Sequence, residues 1–294
     1  MLLPMVTPLL AQLTAPGVPY TVTVDVDLVL FNVTVLDKNG HPVPGLAKER
    51  FHIFEDGREE QIKLFQPEDA PATVGLVIDS SGSMLSKHND VIAAALEFAE
   101  ASNAQDEVFI VNFNDRVSMS LPESIPFTSD PRLLRTALLA TTISGRTALY
   151  DAVAAGLQHL KAGTRQRKAL VVFSDGGDNA SRRHLEDVVR MAQQSSATVY
   201  SIGMYSTNEV DNNPKVLRRL AKLTGGEAYT PHRRDQMHEI WQKIANGLRS
   251  QYTIGYVSSN RERDGRFRRV NVVALGDRGK RLAVNTRTGY VAGN

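Results

Sequence analysis

The stretch that most constrains this 294-residue chain is Thr73-Val74-Gly75-Leu76-Val77-Ile78, followed at once by Asp79-Ser80-Ser81-Gly82-Ser83. An uncharged, largely apolar run of this length, closed by turn formers, describes a short strand buried on both faces. Such a strand belongs inside a parallel sheet, and open sheets of that kind place ligands at the carboxyl ends of their strands. Asp79, Ser81 and Ser83 emerge together at that end, at alternating positions. They present hard oxygen donors with no sulfur or imidazole, a set that suits Mg²⁺, Mn²⁺ or Ca²⁺ rather than zinc.

Two later stretches have the same character. Gly145-Arg146-Thr147 opens a helical pattern, and Lys168-Ala169-Leu170-Val171-Val172-Phe173-Ser174-Asp175-Gly176 is a second buried strand ending in an aspartate. In that order, Asp-x-Ser-x-Ser, Gly-x-Thr and the strand-terminal Asp-Gly resemble the metal-ion-dependent adhesion site of von Willebrand factor type A (VWA) domains. The resemblance covers roughly residues 72–250. It implies five metal ligands, Asp79, Ser81, Ser83, Thr147 and Asp175, a Mg²⁺ cofactor with Mn²⁺ or Ca²⁺ as alternatives, and a protein partner whose Asp or Glu carboxylate completes the coordination. The order of β flank, α/β unit and closing Tyr-x-x-Gly-Tyr and Arg-x-Gly-Tyr strands also resembles bacterial VWFA-related domain proteins.

Each piece has a plainer reading beside this one. Asp79–Ser83 alone would serve as a helix-capping turn, and Thr147 as a cap for the helix after it. Asp175-Gly176-Gly177-Asp178-Asn179 has turn composition. Within it Asp178 reads as a solvated loop acid. Asp115, at the end of another strand, is expected to shape the site without binding metal. Strand-end aspartates with Mg²⁺ also serve phosphoryl transfer in Rossmann-like hydrolases, but those carry a second aspartate two residues after the first, and position 81 is serine. The chain is therefore read as a binding module and not an enzyme. A third reading keeps the architecture, makes the metal site vestigial and gives the contacts to the β flanks.

Composition narrows the classes further. The formal charge is +2, which gives no global field favouring nucleic acid or an anionic membrane. Arg261–Arg269 is basic but interleaved with acids, and reads as a solvated hairpin. Arg165-Gln166-Arg167-Lys168 reads as the exposed amino end of its strand. There are no cysteines, which removes disulfides and thiolate metal sites, and the seven histidines show no metal-binding spacing. Met1–Gln12 is apolar but too short to span a bilayer, and no other segment approaches transmembrane length. Residues 1–19 are left as a leader, either the tail of a secretory signal or a segment without fold. The location is read as periplasmic or secreted, with the cytoplasm left open.

The remaining pattern sets the architecture. Residues 20–66 alternate in the β manner, with strand signals over 20–36, an Asp37-Lys38-Asn39-Gly40 turn, and a hairpin of Phe51–Glu55 with Gln61–Phe65 across Asp56-Gly57. Residues 72–250 alternate strands (73–79, 107–113, 168–174, 198–204, with an edge partner at 117–121) with helices (85–102, 131–140, 147–161, 184–195, 214–224, 235–250). That is the signature of a Rossmann-like α/β fold with a mostly parallel sheet flanked by helices. Strand patterns return over 251–292. Neither flank holds enough strands for a stable core, so the two are expected to pair into one small β-sandwich with the α/β unit inserted between them.

Overall fold

In the computed structural model, residues 28–67, 69–101, 103–205, 212–231, 233 and 235–293 are described. The predicted leader and the strand signal at 20–27 lie outside them. The chain begins with β1 (Leu28–Leu36), β2 (Phe51–Glu55), β3 (Arg58–Glu60) and β4 (Ile62–Gln66). An alternating unit follows: β5 (Ala72–Asp79), α1 (His88–Ala101), β6 (Glu107–Phe113), β7 (Val117–Met119), α2 (Pro131–Leu139), α3 (Leu149–His159) and β8 (Arg167–Ser174). It continues through α4 (Leu185–Gln194), β9 (Thr198–Gly203), α5 (Pro214–Leu223), β10 (Ala228–Tyr229) and α6 (Asp235–Arg249). The chain then returns to strands as β11 (Gln251–Val257), β12 (Phe267–Ala274), β13 (Ala283–Asn285) and β14 (Gly289–Val291).

The central sheet has the order β10-β9-β8-β5-β6-β7, and all neighbours are parallel except β6 and β7. Every residue of β5 is buried, as the uncharged run requires. From β5 the chain moves to β6 on one side; from β8 it moves to β9 and β10 on the other. Right-handed crossovers in opposite directions put helices on opposite faces of a sheet. Accordingly α1 packs with α2 and α6, while α4 packs with α3 and α5. The reversal falls between β5 and β8, so Asp79 and Asp175 flank the point where an open sheet forms its crevice.

The flanks do combine. One sheet runs β13-β1-β11-β4 and the other β14-β12-β2-β3, so each mixes strands from both ends of the chain. β11 pairs with β1 from Leu28↔Val257 to Thr34↔Gln251 and with β4 on its other edge. Between the sheets lies a separate apolar core that includes Phe31, Phe51, Ile53, Tyr252, Ile254 and Tyr256. The Phe51 and Tyr252 rings meet at 4.9 Å.

Four local expectations need correction. Gln61–Phe65 is not the return strand of the second hairpin. Asp56 and Gly57, at φ 47° and 88°, close a two-residue turn, so the return begins at Arg58 and β3 pairs with β2. Ile62–Gln66 instead crosses to the other sheet beside β11. Helix α1 starts at His88 rather than Leu85, because Gly82–Met84 forms a 3₁₀ turn that sinks Met84 fully into the core. Arg268 is buried rather than solvated, with Nη1 3.2 Å from the Glu55 carboxylate. Arg167 is 1% exposed although its tetrapeptide reads as a surface strand end.

Arg167 has a reason to be there. Its guanidinium donates to the carbonyls of Pro67 (3.3 Å) and Ala70 (3.2 Å) on the strand of chain entering the α/β unit. It also donates to Leu248 (2.9 Å) and Gln251 (2.5 Å) on the chain leaving it. A fork of donors thus satisfies carbonyls that both crossings would otherwise bury unpaired. Among the described residues no helix is long and apolar enough to cross a membrane.

Two outcomes are expected. A fragment ending at Gln66 should show no cooperative unfolding transition by circular dichroism, because β1 and β4 both need β11. Arg167→Leu in the full chain should lower the unfolding free energy in urea by about 2–4 kcal/mol, since each buried acceptor stripped of its donor costs about 1–3 kcal/mol and the outer ones regain water.

Candidate metal centre

The centre is built where β5 and β8 end. Asp79 closes β5 with no exposed surface, and the chain then turns sharply, with the Ser80 N–H donating to Phe113 O at 2.7 Å. The Ser81 N–H donates back to Asp79 Oδ1 (2.9 Å), which holds the carboxylate across the turn. Ser81 Oγ lies 3.2 Å from Ser83 Oγ, and Ser83 Oγ donates to Asp175 Oδ2 at 2.8 Å. Four of the five predicted ligands, Asp79, Ser81, Ser83 and Asp175, therefore form one connected chain of contacts.

The fifth arrives on a loop tied to the same turn. The Ser144 N–H donates to Ser80 O (3.0 Å), and the Gly82 N–H donates to Gly145 O (3.1 Å). Gly145 sits at φ +78°, which favours glycine, and a Cβ there would fall 2.4 Å from Asp115 Oδ2 and displace that carboxylate. Asp115 accepts the Arg146 N–H at 2.6 Å, which is the shaping role expected of it. Thr147 is 6% exposed, and its N–H donates to Asn179 Oδ1 at 2.9 Å. No hydrogen bond among the described residues uses the Thr147 hydroxyl.

Thr147 does not cap its helix. The cap position of α3 is Ala148, which has no capping side chain. The N-terminal N–H groups of α3 are satisfied from another loop: Tyr150 donates to Asp178 Oδ2 (2.9 Å) and Asp151 to Ser181 Oγ (3.0 Å). Asp178 is thus a remote helix cap rather than a solvated acid, and the Thr147 side chain is released from that duty. Sequence reasoning also missed Ser174, which donates to Asp79 Oδ2 at 2.7 Å and accepts the Gly176 N–H at 3.0 Å. Only its position directly before Asp175 hints at this.

Charge is the notable property of the centre. Asp79 and Asp175 are both buried, at 0% and 2% exposure, and among the described residues neither forms an ion pair. Burial pushes the Asp79 carboxyl up to about 6, against hydrogen bonds from Ser174 and Ser81, and the Asp175 charge adds to the rise. Two dehydrated carboxylates with hydroxyls around them, and no cationic side chain paired to them among the described residues, fit a small divalent cation with hard-oxygen preference. The residues present match that group, and Asp79, Ser81, Ser83, Thr147 and Asp175 are the side chains that would hold it.

Comparison with known proteins agrees with this architecture. Residues 74–177 match the model of the von Willebrand factor type A domain. A von Willebrand factor type A protein from Catenulispora acidiphila superposes with a TM-score of 0.54 at 14% identity, over 90% of this chain and 74% of that one. The vWF domain of the type V pili tip protein Mfa5 from Porphyromonas gingivalis gives 0.51 at 14% identity, over 61% and 97%. Proximal thread matrix protein 1 from the mussel byssus, solved with a zinc-occupied MIDAS motif, gives 0.54 at 14% identity, over 67% and 50%. At these identities the likeness is one of fold. No curated protein matches the sequence.

One outcome isolates the buried charge. The folded-state pKa of Asp79 lies above its ordinary 3.8, so the folded chain keeps this proton to higher pH than the unfolded chain does. Its contribution to stability therefore falls as pH rises from about 4 to about 6. In EDTA, Asp79→Asn should match the wild type near pH 4 and exceed it at pH 7 by something of the order of 2–3 kcal/mol, read from urea unfolding of both proteins.

Proposed function

Taking residues 74–177 as a von Willebrand factor type A domain, we propose that the chain is a divalent-metal-dependent protein-binding module. In this reading Asp79, Ser81, Ser83, Thr147 and Asp175 hold Mg²⁺, with Mn²⁺ or Ca²⁺ as substitutes, and a partner supplies an Asp or Glu carboxylate. The observation that carries it is the pair of buried carboxylates with no ion pair among the described residues, together with a Thr147 hydroxyl, on the loop tied to the same turn, that no hydrogen bond among those residues uses. When bound, the cation supplies an electrophilic coordination position for an incoming carboxylate, because three of its five protein donors are uncharged hydroxyls.

The chain's own residues do the preorganising. Ser81 N–H and Ser174 Oγ fix both oxygens of Asp79. The Gly177 N–H fixes Asp175 Oδ1 at 3.0 Å, which leaves Oδ2 on the Ser83 side. Gly176, at φ +82° and with its Cα hydrogen facing Asn213 O where a Cβ would stand at 2.3 Å, sets the bend that turns Asp175 inward. Serine at position 81, where a phosphoryl-transfer enzyme would need a second carboxylate, supports binding over catalysis. A periplasmic or secreted location suits the pilus-tip neighbour.

Calorimetric titration with Mg²⁺ tests the assignment. The wild type should release a saturable heat that Asp79→Ala lacks, while the circular dichroism of the variant stays native because the residue ends a strand. A pull-down from the native envelope fraction should lose its specific partner in EDTA and regain it with Mg²⁺ or Mn²⁺. An unchanged Mg²⁺ isotherm in Asp79→Ala, or a partner indifferent to EDTA, would remove the metal from the mechanism.

A further inference from the structure

Beside the metal centre lies a second, polar pocket of about 290 Å³. Its walls come from the carboxyl ends of β5 and β6, from the edge strand β7 and from the loop after α2. Ser80, placed between the ligand positions Asp79 and Ser81, forms part of the lining. Pocket and centre thus lie one residue apart along the chain.

The floor of this pocket is a fixed hydrogen-bond network. Asn112, 9% exposed, accepts from Ser80 Oγ (3.3 Å) and spends both amide hydrogens on Ser120 Oγ (2.9 Å) and Thr141 Oγ1 (2.5 Å). Each of those hydroxyls accepts one bond from Asn112 and keeps its own O–H, which can still donate. Among the described residues neither O–H has an acceptor. The exposed Arg116 belongs to the same lining and brings a positive charge to its rim, and among the described residues no acid lines the pocket. Two hydroxyls with O–H groups to spare and an arginine at a rim without a described acid suit an anion, and an arginine fork matches a carboxylate.

We propose that this pocket takes a second carboxylate from the same partner segment, so that the module selects a diacidic sequence over a lone acid. The inference rests on the metal-bridged reading, in which the first carboxylate sits at the adjoining centre. It assigns a specificity role to Arg116, Ser120 and Thr141, none of which is a metal ligand. Side chains two apart on an extended partner share one face about 7 Å from each other, so a short segment can present two carboxylates together.

Nuclear magnetic resonance titration of the ¹⁵N-labelled, Mg²⁺-loaded full chain with blocked glycine-based peptides tests it. One peptide carries a single aspartate; the others add a glutamate one, two or three residues later. At least one diacid should bind about fivefold or more tighter than the monoacid, the gain expected of one charge-assisted contact, and should shift the Ser118–Ser120 and Thr141 amides. Arg116→Gln and the uncharged, near-isosteric Thr141→Val should each erase that preference while leaving Mg²⁺ affinity and monoacid binding unchanged. Thr141→Val separates the pocket from general charge attraction, and Arg116→Gln, at an exposed position, serves if the valine variant misfolds. If the monoacid binds and no diacid binds tighter, or if the preference survives both variants, the pocket assignment is overturned and the metal bridge stands. If no peptide binds the Mg²⁺-loaded chain, the metal-bridged reading fails and this inference with it.

Discussion

The carboxylates of Asp79 and Asp175 are buried, and among the described residues no basic side chain pairs with them. Much of the α/β unit reads as the means of keeping them there. The uncharged strands β5 and β8 deliver them to the crevice between the two directions of the sheet. The Ser81 N–H, Ser83 Oγ, Ser174 Oγ and Gly177 N–H then spread the charge over donors that cannot move away. A protein selected for stability alone would replace Asp79 by a neutral residue, because desolvation raises its pKa toward neutrality. Keeping the acid places the cost of burial in the fold, which the proposed cation would offset on binding.

The β-sandwich answers a different constraint. Neither flank can complete a sheet, so both ends of the chain must meet, and the α/β unit is held between two crossings that run side by side. Arg167 gathers the carbonyls of both crossings onto one guanidinium. Arg287 makes a second tie, donating to Ser195 O at 2.6 Å and Leu30 O at 2.5 Å while lying 4.4 Å over the Phe31 ring. Burial lowers the Arg287 pKa to about 10, still well above neutrality, so the tie stays charged. These contacts join the end of α4 and the base of β8 to the sandwich, at the edge of the sheet opposite the metal centre's strand ends in the case of Arg167.

Legibility followed the range of the interaction. Thr73–Ile78 and Ala169–Phe173 announce buried strands because a two-sided strand tolerates few charges, and both lie where that pattern puts them. Asp130-Pro131 announces the start of α2, and the Asp130 side chain does accept the Arg132 N–H at 2.8 Å. The errors arose where a local pattern admits two partners. Gln61–Phe65 alternates well enough to close a hairpin, and only the two-residue turn at Asp56-Gly57 together with the free edge of β11 sends it to the other sheet. Arg167 and Arg268 look like surface charges because nothing nearby in the chain shows the carbonyls or the Glu55 carboxylate that receive them.

By itself the sequence determined the strand and helix periods, the hard-oxygen character of residues 79–83 and the need for the two flanks to find one another. Those properties depend on the order of apolar and polar residues over a few positions, which the backbone geometry of strands and helices converts directly into faces and ends. Tertiary structure alone decided which groups satisfy which. Ser83 meets Asp175 across 92 residues, Asp178 caps a helix that begins 29 residues before it, and Asn112 donates to the Thr141 hydroxyl across 29 residues. Hydrogen bonds and charges become decisive only after burial removes water as a competing partner, and burial is a property of the assembled chain.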